Sequence, residues 1–334
     1  MRKFMLITIL LTVIAIPRAL AFDISRPSEG DKPTEVRMAV YLVDVDAIDT
    51  VNQSFEANVF YMCQWKDPRL AHDGKEEIGK SLNEVWNPRI QLLNQQRVWA
   101  TFPEMVEISP DGTVTYRQRV WGHFSQPLNL RDFPFDEQTF NVNFIATGYS
   151  PDEVKLIQDP TFESGIAERF SVADWSVLNW KARPHVFQLP NLQEKRELFT
   201  ILFEAKRQSG YFVVKVIVPL IFIVAMSWVV FWIDPKESGT QINVAITAML
   251  TLIAYRFMVG MDLPKFSYLT RLDYFILFST ILVFASLLEV VITSALAKNN
   301  MLEQARAIDR WARWIFPGAF LLLSLEALVF NFLT

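Results

Sequence analysis

Between about Asp31 and Lys206, apolar and polar residues alternate in short runs rich in Val, Phe, Tyr and Trp, separated by turn signals such as Ser109-Pro110-Asp111-Gly112. Alternation at a period of two turns one side of each run toward a core, so the pattern predicts an immunoglobulin-like β-sandwich. Strands are predicted at Val36–Val45, Phe55–Trp65, Thr113–Val120, Gln138–Phe144 and Leu198–Lys206. Trp65, Trp86, Trp99, Trp121, Trp175 and Trp180 are expected to serve as large packing bodies, and no helix of any length is predicted in this half.

After Gly210 the pattern changes to long apolar runs. Four of them, M1 (211–233), M2 (240–259), M3 (268–296) and M4 (308–333), are each long enough to cross a bilayer. Unpaired backbone groups are costly in hydrocarbon, so all four are predicted to be helices, which makes the whole a β plus α membrane protein: a sandwich followed by a four-helix transmembrane bundle. At the other end, Arg2 and Lys3 precede an apolar run from Phe4 to Ile16, then Ala19-Leu20-Ala21, so residues 1–21 read as a signal peptide. The expected domains are 22–209 outside the membrane and 210–334 within it. Lys298, Arg306, Arg310 and Arg313 cluster around the M3–M4 connection, which puts that loop in the cytoplasm and the sandwich in the periplasm of a bacterial inner membrane.

M2 is the least lipid-like of the four, being interrupted by Asn243, Thr247, Thr251, Tyr255 and Arg256. Asn243, Thr247, Leu250, Ala254 and Phe257 follow one another at steps of four, three, four and three, which aligns them along one helical face. In a ring of subunits this stripe would line a water-filled path, with polar groups at one end and rings of Leu250 and Phe257 able to close it by dewetting. The same Thr and Asn residues could instead serve as hydrogen-bonding glue between helices, as in a membrane-anchored oligomeric sensor that conducts nothing. Glu237 just before M2 and Asp262 just after it would concentrate cations at the two mouths.

Composition narrows the function classes. The chain is 51% hydrophobic with a formal net charge of −4, and its mean hydropathy is +0.20. This balance gives no basic excess for a nucleic-acid partner. One cysteine, Cys63, permits no intrachain disulfide, and neither a phosphate-cradling Gly-rich loop nor a His cluster with metal-ligand spacing is present. No enzymatic activity, cofactor or metal is therefore expected. Asp44 and Asp46 share a strand face without the glycine and distal Glu of a calcium loop. Glu289 in M3 and Glu326 in M4 are ionisable groups in apolar helices and count as functional candidates, with interhelical hydrogen bonding as the plainer role.

The run Leu130-Arg131-Asp132-Phe133-Pro134-Phe135-Asp136-Glu137-Gln138-Thr139-Phe140 resembles the Phe-Pro-Phe-Asp-x-Gln loop of the pentameric ligand-gated ion channels, the Cys-loop receptor superfamily. The two cysteines that bracket this loop in eukaryotic members are absent, as in the short bacterial members. Gln64-Trp65-Lys66-Asp67-Pro68-Arg69-Leu70, Val85-Trp86-Asn87-Pro88-Arg89-Ile90, Val218-Pro219-Leu220 and Leu263-Pro264-Lys265 follow in the family's order. The stretch Met249-Leu250-Thr251-Leu252-Ile253-Ala254-Tyr255 is similar to the bacterial pore helix. The resemblance implies a homopentamer embedded in membrane lipids, permeated by ions and opened by a small molecule or by protons.

The same resemblance implies that Asp136 pairs with Arg207 and with the loop around Asp49, while Phe133, Pro134, Phe135, Pro264 and Lys265 join the two domains. It also implies an agonist site near Trp86, Tyr149, His185 and Phe187, with Gln64 on the complementary strand. Core packing is the competing role for Trp86. His72, His123 and His185 lie in the sandwich half, where protons could act on them.

Overall fold

The computed structural model describes residues 24–27, 32–188, 194–262 and 267–330. The expected signal peptide, Pro264 and Lys265 fall outside them. Twelve strands form the first half: β1 (Thr34–Asp49), β2 (Ser54–Lys66), β3 (Ile78–Ser81), β4 (Ile90–Leu92), β5 (Gln95–Ala100), β6 (Met105–Ile108), β7 (Thr113–Ser125), β8 (Glu137–Ala146), β9 (Val154–Gln158), β10 (Gly165–Ile166), β11 (Trp175–Gln188) and β12 (Lys195–Arg207). One sheet runs β10-β1-β2-β7-β6-β3, with β5 added on β7 and β9 on β1; the other runs β11-β12-β8-β4. Among the described residues of this half, helical structure is confined to two three-residue 3₁₀ turns, Pro68–Leu70 and Leu82–Glu84.

Alternation along the predicted strands is what closes the sandwich. Phe55 and Phe124 from the first sheet meet Phe140 and Phe203 from the second, all essentially inaccessible to solvent. Phe140 stacks on Phe203 at 5.0 Å, and Phe55 meets both edge-on at 5.3 and 5.8 Å. Burying a ring of this size stabilises a domain by about 1.5–3 kcal/mol, so this quartet anchors the core. Cys63, buried beside Met38 at 3.6 Å, belongs to the same interior, and its thiol is pushed far up by loss of solvent.

Three of the expected packing tryptophans do not pack inward. Trp99, Trp121 and Trp180 keep 51%, 38% and 36% of their surface exposed. Trp99 and Trp121 pair across β5 and β7 and stack on each other at 5.2 Å, while Trp121 donates its indole N–H to Asp46. They are solvent-side neighbours because their strand positions point away from the core. Asp44 is likewise occupied, accepting from the backbone N–H and hydroxyl of Ser171.

Among the described residues the second half contains four helical spans. M1 is composite: Gly210–Phe212 is α, Val213–Ile217 is a π turn, Val218–Trp228 is α, and Val229–Trp232 is 3₁₀. M2 forms one helix, Ser238–Asp262, and M3 another, Arg271–Lys298, opened by a capping box in which Thr270 and Asp273 satisfy each other's backbone N–H groups. M4 begins at Leu302, six residues before the position expected from hydropathy, and runs to Leu325 before a π segment, Glu326–Phe330. The early start reflects amphipathicity: Ala305, Asp309 and Ala312 are buried at steps of four and three, whereas the intervening charged residues had made this turn look like a loop.

Gly112 closes the β6–β7 turn with φ of +80°, and a Cβ there would lie 2.6 Å from the Asp67 carbonyl oxygen. Its own carbonyl accepts from the Asp67 N–H at 2.9 Å, so neither chain can retreat without losing that bond. Gly112→Ala is expected to destabilise the sandwich by about 1–3 kcal/mol, measured as a lowered thermal midpoint of the purified protein in detergent.

Candidate functional site

The two halves meet at a loop between β7 and β8. Arg207, the last residue of β12, donates from Nε to Asp136 Oδ1 at 2.8 Å and from an Nη to Oδ2 at 3.3 Å, with both side chains almost wholly removed from solvent. The guanidinium is flanked by the rings of Trp175, 4.3 Å from centroid to Cζ, and Phe133, 5.0 Å. Gln138 completes the carboxylate's shell with an N–H bond to Oδ2 at 2.9 Å. Charges this deeply buried persist only when paired and hydrogen-bonded, and here both conditions hold.

The same loop carries the cis Phe133–Pro134 peptide and reaches the start of M3. Phe133 sits edge-on to Phe212 of M1 at 4.7 Å, and Phe135 is half-buried. Backbone N–H groups of Arg271 and Leu272 donate to the carbonyls of Arg131 and Phe133 at 2.9 and 3.3 Å. Arg271 pairs with Asp132 at 2.7 Å, and the Tyr268 hydroxyl accepts from the Leu130 N–H at 3.0 Å. Tyr268, Arg271 and Trp175 were missed as junction residues. For Arg271, a cation opening a helix beside an acidic loop carried the signal.

Asp49 is not drawn into this cluster. Its Oδ1 accepts from the N–H groups of Val51 and Asn52 at 2.9 Å, and its Oδ2 from the Asn52 side chain at 2.7 Å, so it shapes its own hairpin turn.

On M2, Ala245, Ala248, Leu252 and Val259 are buried against the rest of the bundle. At 100° per residue this face lies opposite Asn243, Thr247, Leu250, Ala254 and Phe257, every one of which is exposed in the single subunit. Leu250 and Phe257 leave 60% and 75% of their surface uncovered. Thr247 donates its hydroxyl to the Asn243 carbonyl at 2.7 Å, which leaves the oxygen lone pairs facing outward. Glu237 is exposed just ahead of the helix, and the side chain of Asp262 falls outside the described set.

Trp86, Tyr149, His185 and Phe187 gather at one end of the four-stranded sheet, since His185 pairs with Leu198 and Leu198 with Ile145. Trp86 is buried and donates its indole N–H to the Tyr149 hydroxyl at 2.9 Å, with the rings tilted at 5.7 Å, so its polar edge is already engaged. Arg89 lies 5.9 Å from the Tyr149 ring. His185 is exposed and Phe187 half-buried on β11. Gln64 is on β2 in the other sheet, bonded to Thr115 at 3.1 Å, and one subunit does not bring it to the other four. Among the described residues no cluster of three or more His, Cys, Asp or Glu has metal-binding geometry.

A family profile described as the neurotransmitter-gated ion-channel ligand binding domain matches residues 23–208, and one described as the neurotransmitter-gated ion-channel transmembrane region matches residues 216–301. The chain belongs to the neurotransmitter-gated ion-channel family. It is also similar to a protein of Gloeobacter violaceus named a proton-gated ion channel, being 27% identical over 305 residues that cover 90% of this chain and 84% of the relative. In this family member the sandwich is the ligand-binding half and the four helices are the multi-pass membrane half of a ligand-gated ion-channel subunit.

In the ligand-binding half, Glu197 on β12 is a buried acid whose carboxyl is raised above the ordinary range by desolvation, partly opposed by the Leu156 N–H. A raised folded-state value means the native protein holds this proton more tightly than the unfolded chain does. Its contribution to stability is therefore present at low pH and is lost as pH rises through the folded-state value. Thermal midpoints measured from about pH 4 to about pH 7 should show part of their decline removed in Glu197→Gln. At the junction, truncating Arg207 strands a buried carboxylate, and Arg207→Met is expected to cost about 3–5 kcal/mol, seen as loss of assembled protein on size exclusion. Arg207→Met combined with Asp136→Leu should recover much of it.

Proposed function

We propose that the chain forms a homopentameric, cation-permeable channel whose conduit is walled by Asn243, Thr247, Leu250, Ala254 and Phe257 of M2. The observation that carries this reading is the two-faced character of M2. One face is buried among small and apolar residues of its own subunit, and the other leaves amide, hydroxyl and bulky apolar side chains together, uncovered by the rest of the subunit. Around a fivefold axis that free face supplies polar rings at one end and hydrophobic constrictions at Leu250 and Phe257, where water is expelled when the helices close in. Glu237 and Asp262 at the two mouths favour cations.

The sandwich lies in the periplasm and the helices in the bacterial inner membrane, with the basic M3–M4 connection inside. Opening begins in the sandwich and reaches M2 through the Asp136–Arg207 pair, the Phe133–Pro134–Phe135 knob and the start of M3; Pro264 and Lys265 belong to the same coupling set. Protons on the sandwich side are the first stimulus to test, given the Gloeobacter relative's name. A small molecule held at Tyr149, His185 and Phe187, with Gln64 of a neighbouring subunit closing the pocket, is the second. Trp86 supports the Tyr149 wall from behind, since its indole N–H is already given to that hydroxyl.

The test is voltage-clamp recording of this chain expressed alone, with steps of external pH followed by panels of small amines and carboxylates. Current switched by one condition, with a reversal potential that follows the cation gradient, is the expected result. Silence despite surface expression would favour a non-conducting sensor. Leu250→Ser should leave the conduit wet and raise leak current several-fold; if the stripe only joins helices, assembly would weaken and leak would stay unchanged.

A further inference from the structure

At the end of the bundle away from the sandwich, three polar side chains converge inside the subunit. Glu289 of M3, Asp309 of M4 and Gln241 of M2 are exposed by only 8%, 1% and 0%. Gln241 gives its amide N–H groups to the carbonyls of Val230 and Ile233, at 3.2 and 2.9 Å, and to Asp309 Oδ2 at 3.4 Å. Four oxygens remain without a donor: both of Glu289, Oδ1 of Asp309 and Oε1 of Gln241. The two carboxyl groups lie within hydrogen-bonding reach of each other.

Ionised carboxylates only accept hydrogen bonds, so two of them face to face in an apolar bundle repel and satisfy nothing. One proton changes that, because a protonated carboxyl becomes the donor its neighbour lacks. One cation, Arg313, and one further carboxylate, Asp234, stand nearby, and both have other partners. Arg313, on the same helix as Asp309, directs its Nε to the Phe231 carbonyl at 2.9 Å and stands over the Trp232 ring. Asp234, in the turn between M1 and M2, adds negative charge and is engaged with Arg306 at 2.8 Å. From M2 the neutral Gln241 reaches Asp309, and it shares that amide with the Val230 and Ile233 carbonyls.

We propose that Glu289 and Asp309 form a buried site for a single shared proton, which keeps M4 seated on M3 and Gln241 anchored beneath the pore helix. Gln241 stands two residues before Asn243, so release of the proton reaches the inner end of the M2 stripe directly. The site is separate from the sandwich and answers to pH on the opposite face of the membrane. Only its electrical readout rests on the channel function proposed above.

Two measurements on the full chain in proteoliposomes test it. Infrared spectra at neutral pH should contain a protonated-carboxyl C=O band that disappears in both Glu289→Gln and Asp309→Asn, since each variant supplies an amide donor to the surviving carboxylate. Absence of the band in the unaltered protein, as a bound metal cation in place of the proton would also produce, overturns the proposal, and so does its persistence in both variants. In recordings with the stimulus and the sandwich-side pH held constant, raising pH on the opposite face should shift the current by at most about tenfold per pH unit, the limit for one proton. Both variants should be flat to that step while still answering the stimulus. An identical shift in the variants would overturn the coupling to conduction, and the infrared result stands whether or not current flows.

Discussion

The contact on which the rest of the molecule depends is the buried Asp136–Arg207 pair. Removing two charges from water is expensive, and the gain from their attraction offsets it only when geometry is good and remaining polar atoms are satisfied. Here the guanidinium makes two bonds, lies between Trp175 and Phe133, and faces a carboxylate also held by Gln138. Arg207 ends the last strand and stands two residues before Ser209, the cap of M1, while Asp136 ends the loop that touches M3. A single electrostatic requirement thus fixes where the sheet stops, where the membrane begins and which loop fills the gap.

The pattern of apolar positions made most of this architecture legible. Five predicted strands recur, extended at their ends, because alternation with a buried face is a strong local signal. Seven further strands escaped, six of them only two to six residues long; the longest, β11, has a mostly exposed burial pattern, so its sequence lacks the apolar period that identified the others. M4 was placed late for a related reason: Asp309 and its charged neighbours lower the hydropathy of a turn whose inner face is nevertheless buried. Hydropathy averages over a helix and cannot see which side a charge occupies.

Site residues divide along the same line. The M2 stripe was readable because helical periodicity alone aligns it, and Asp136 with Arg207 because a motif singled them out. Asp49 was assigned to the junction, yet its carboxylate is consumed within its own turn, a local competition that spacing does not reveal. Trp86 illustrates the converse, since the competing expectation of packing describes its surroundings and only coordinates could disclose the bond to Tyr149. The facing of Glu289 and Asp309 joins residues on different helices and was invisible along the chain.

The π turn in M1 has a mechanical meaning. In it the Val218 N–H reaches back to the Val213 carbonyl, and the Tyr255 hydroxyl of M2 is given to the carbonyls of Lys215 and Val216, at 3.2 and 2.8 Å. A wider helical turn shifts those carbonyls out of the regular ladder and makes them available to an outside donor. M1 and M2 are thereby pinned to each other eight and nine residues beyond the Arg207 that joins sandwich to membrane. M2 is thus held to M1 at two levels, by Tyr255 near the end that faces the sandwich and by Gln241 at the other end, so the span between them cannot shift along M1 without breaking one of these ties.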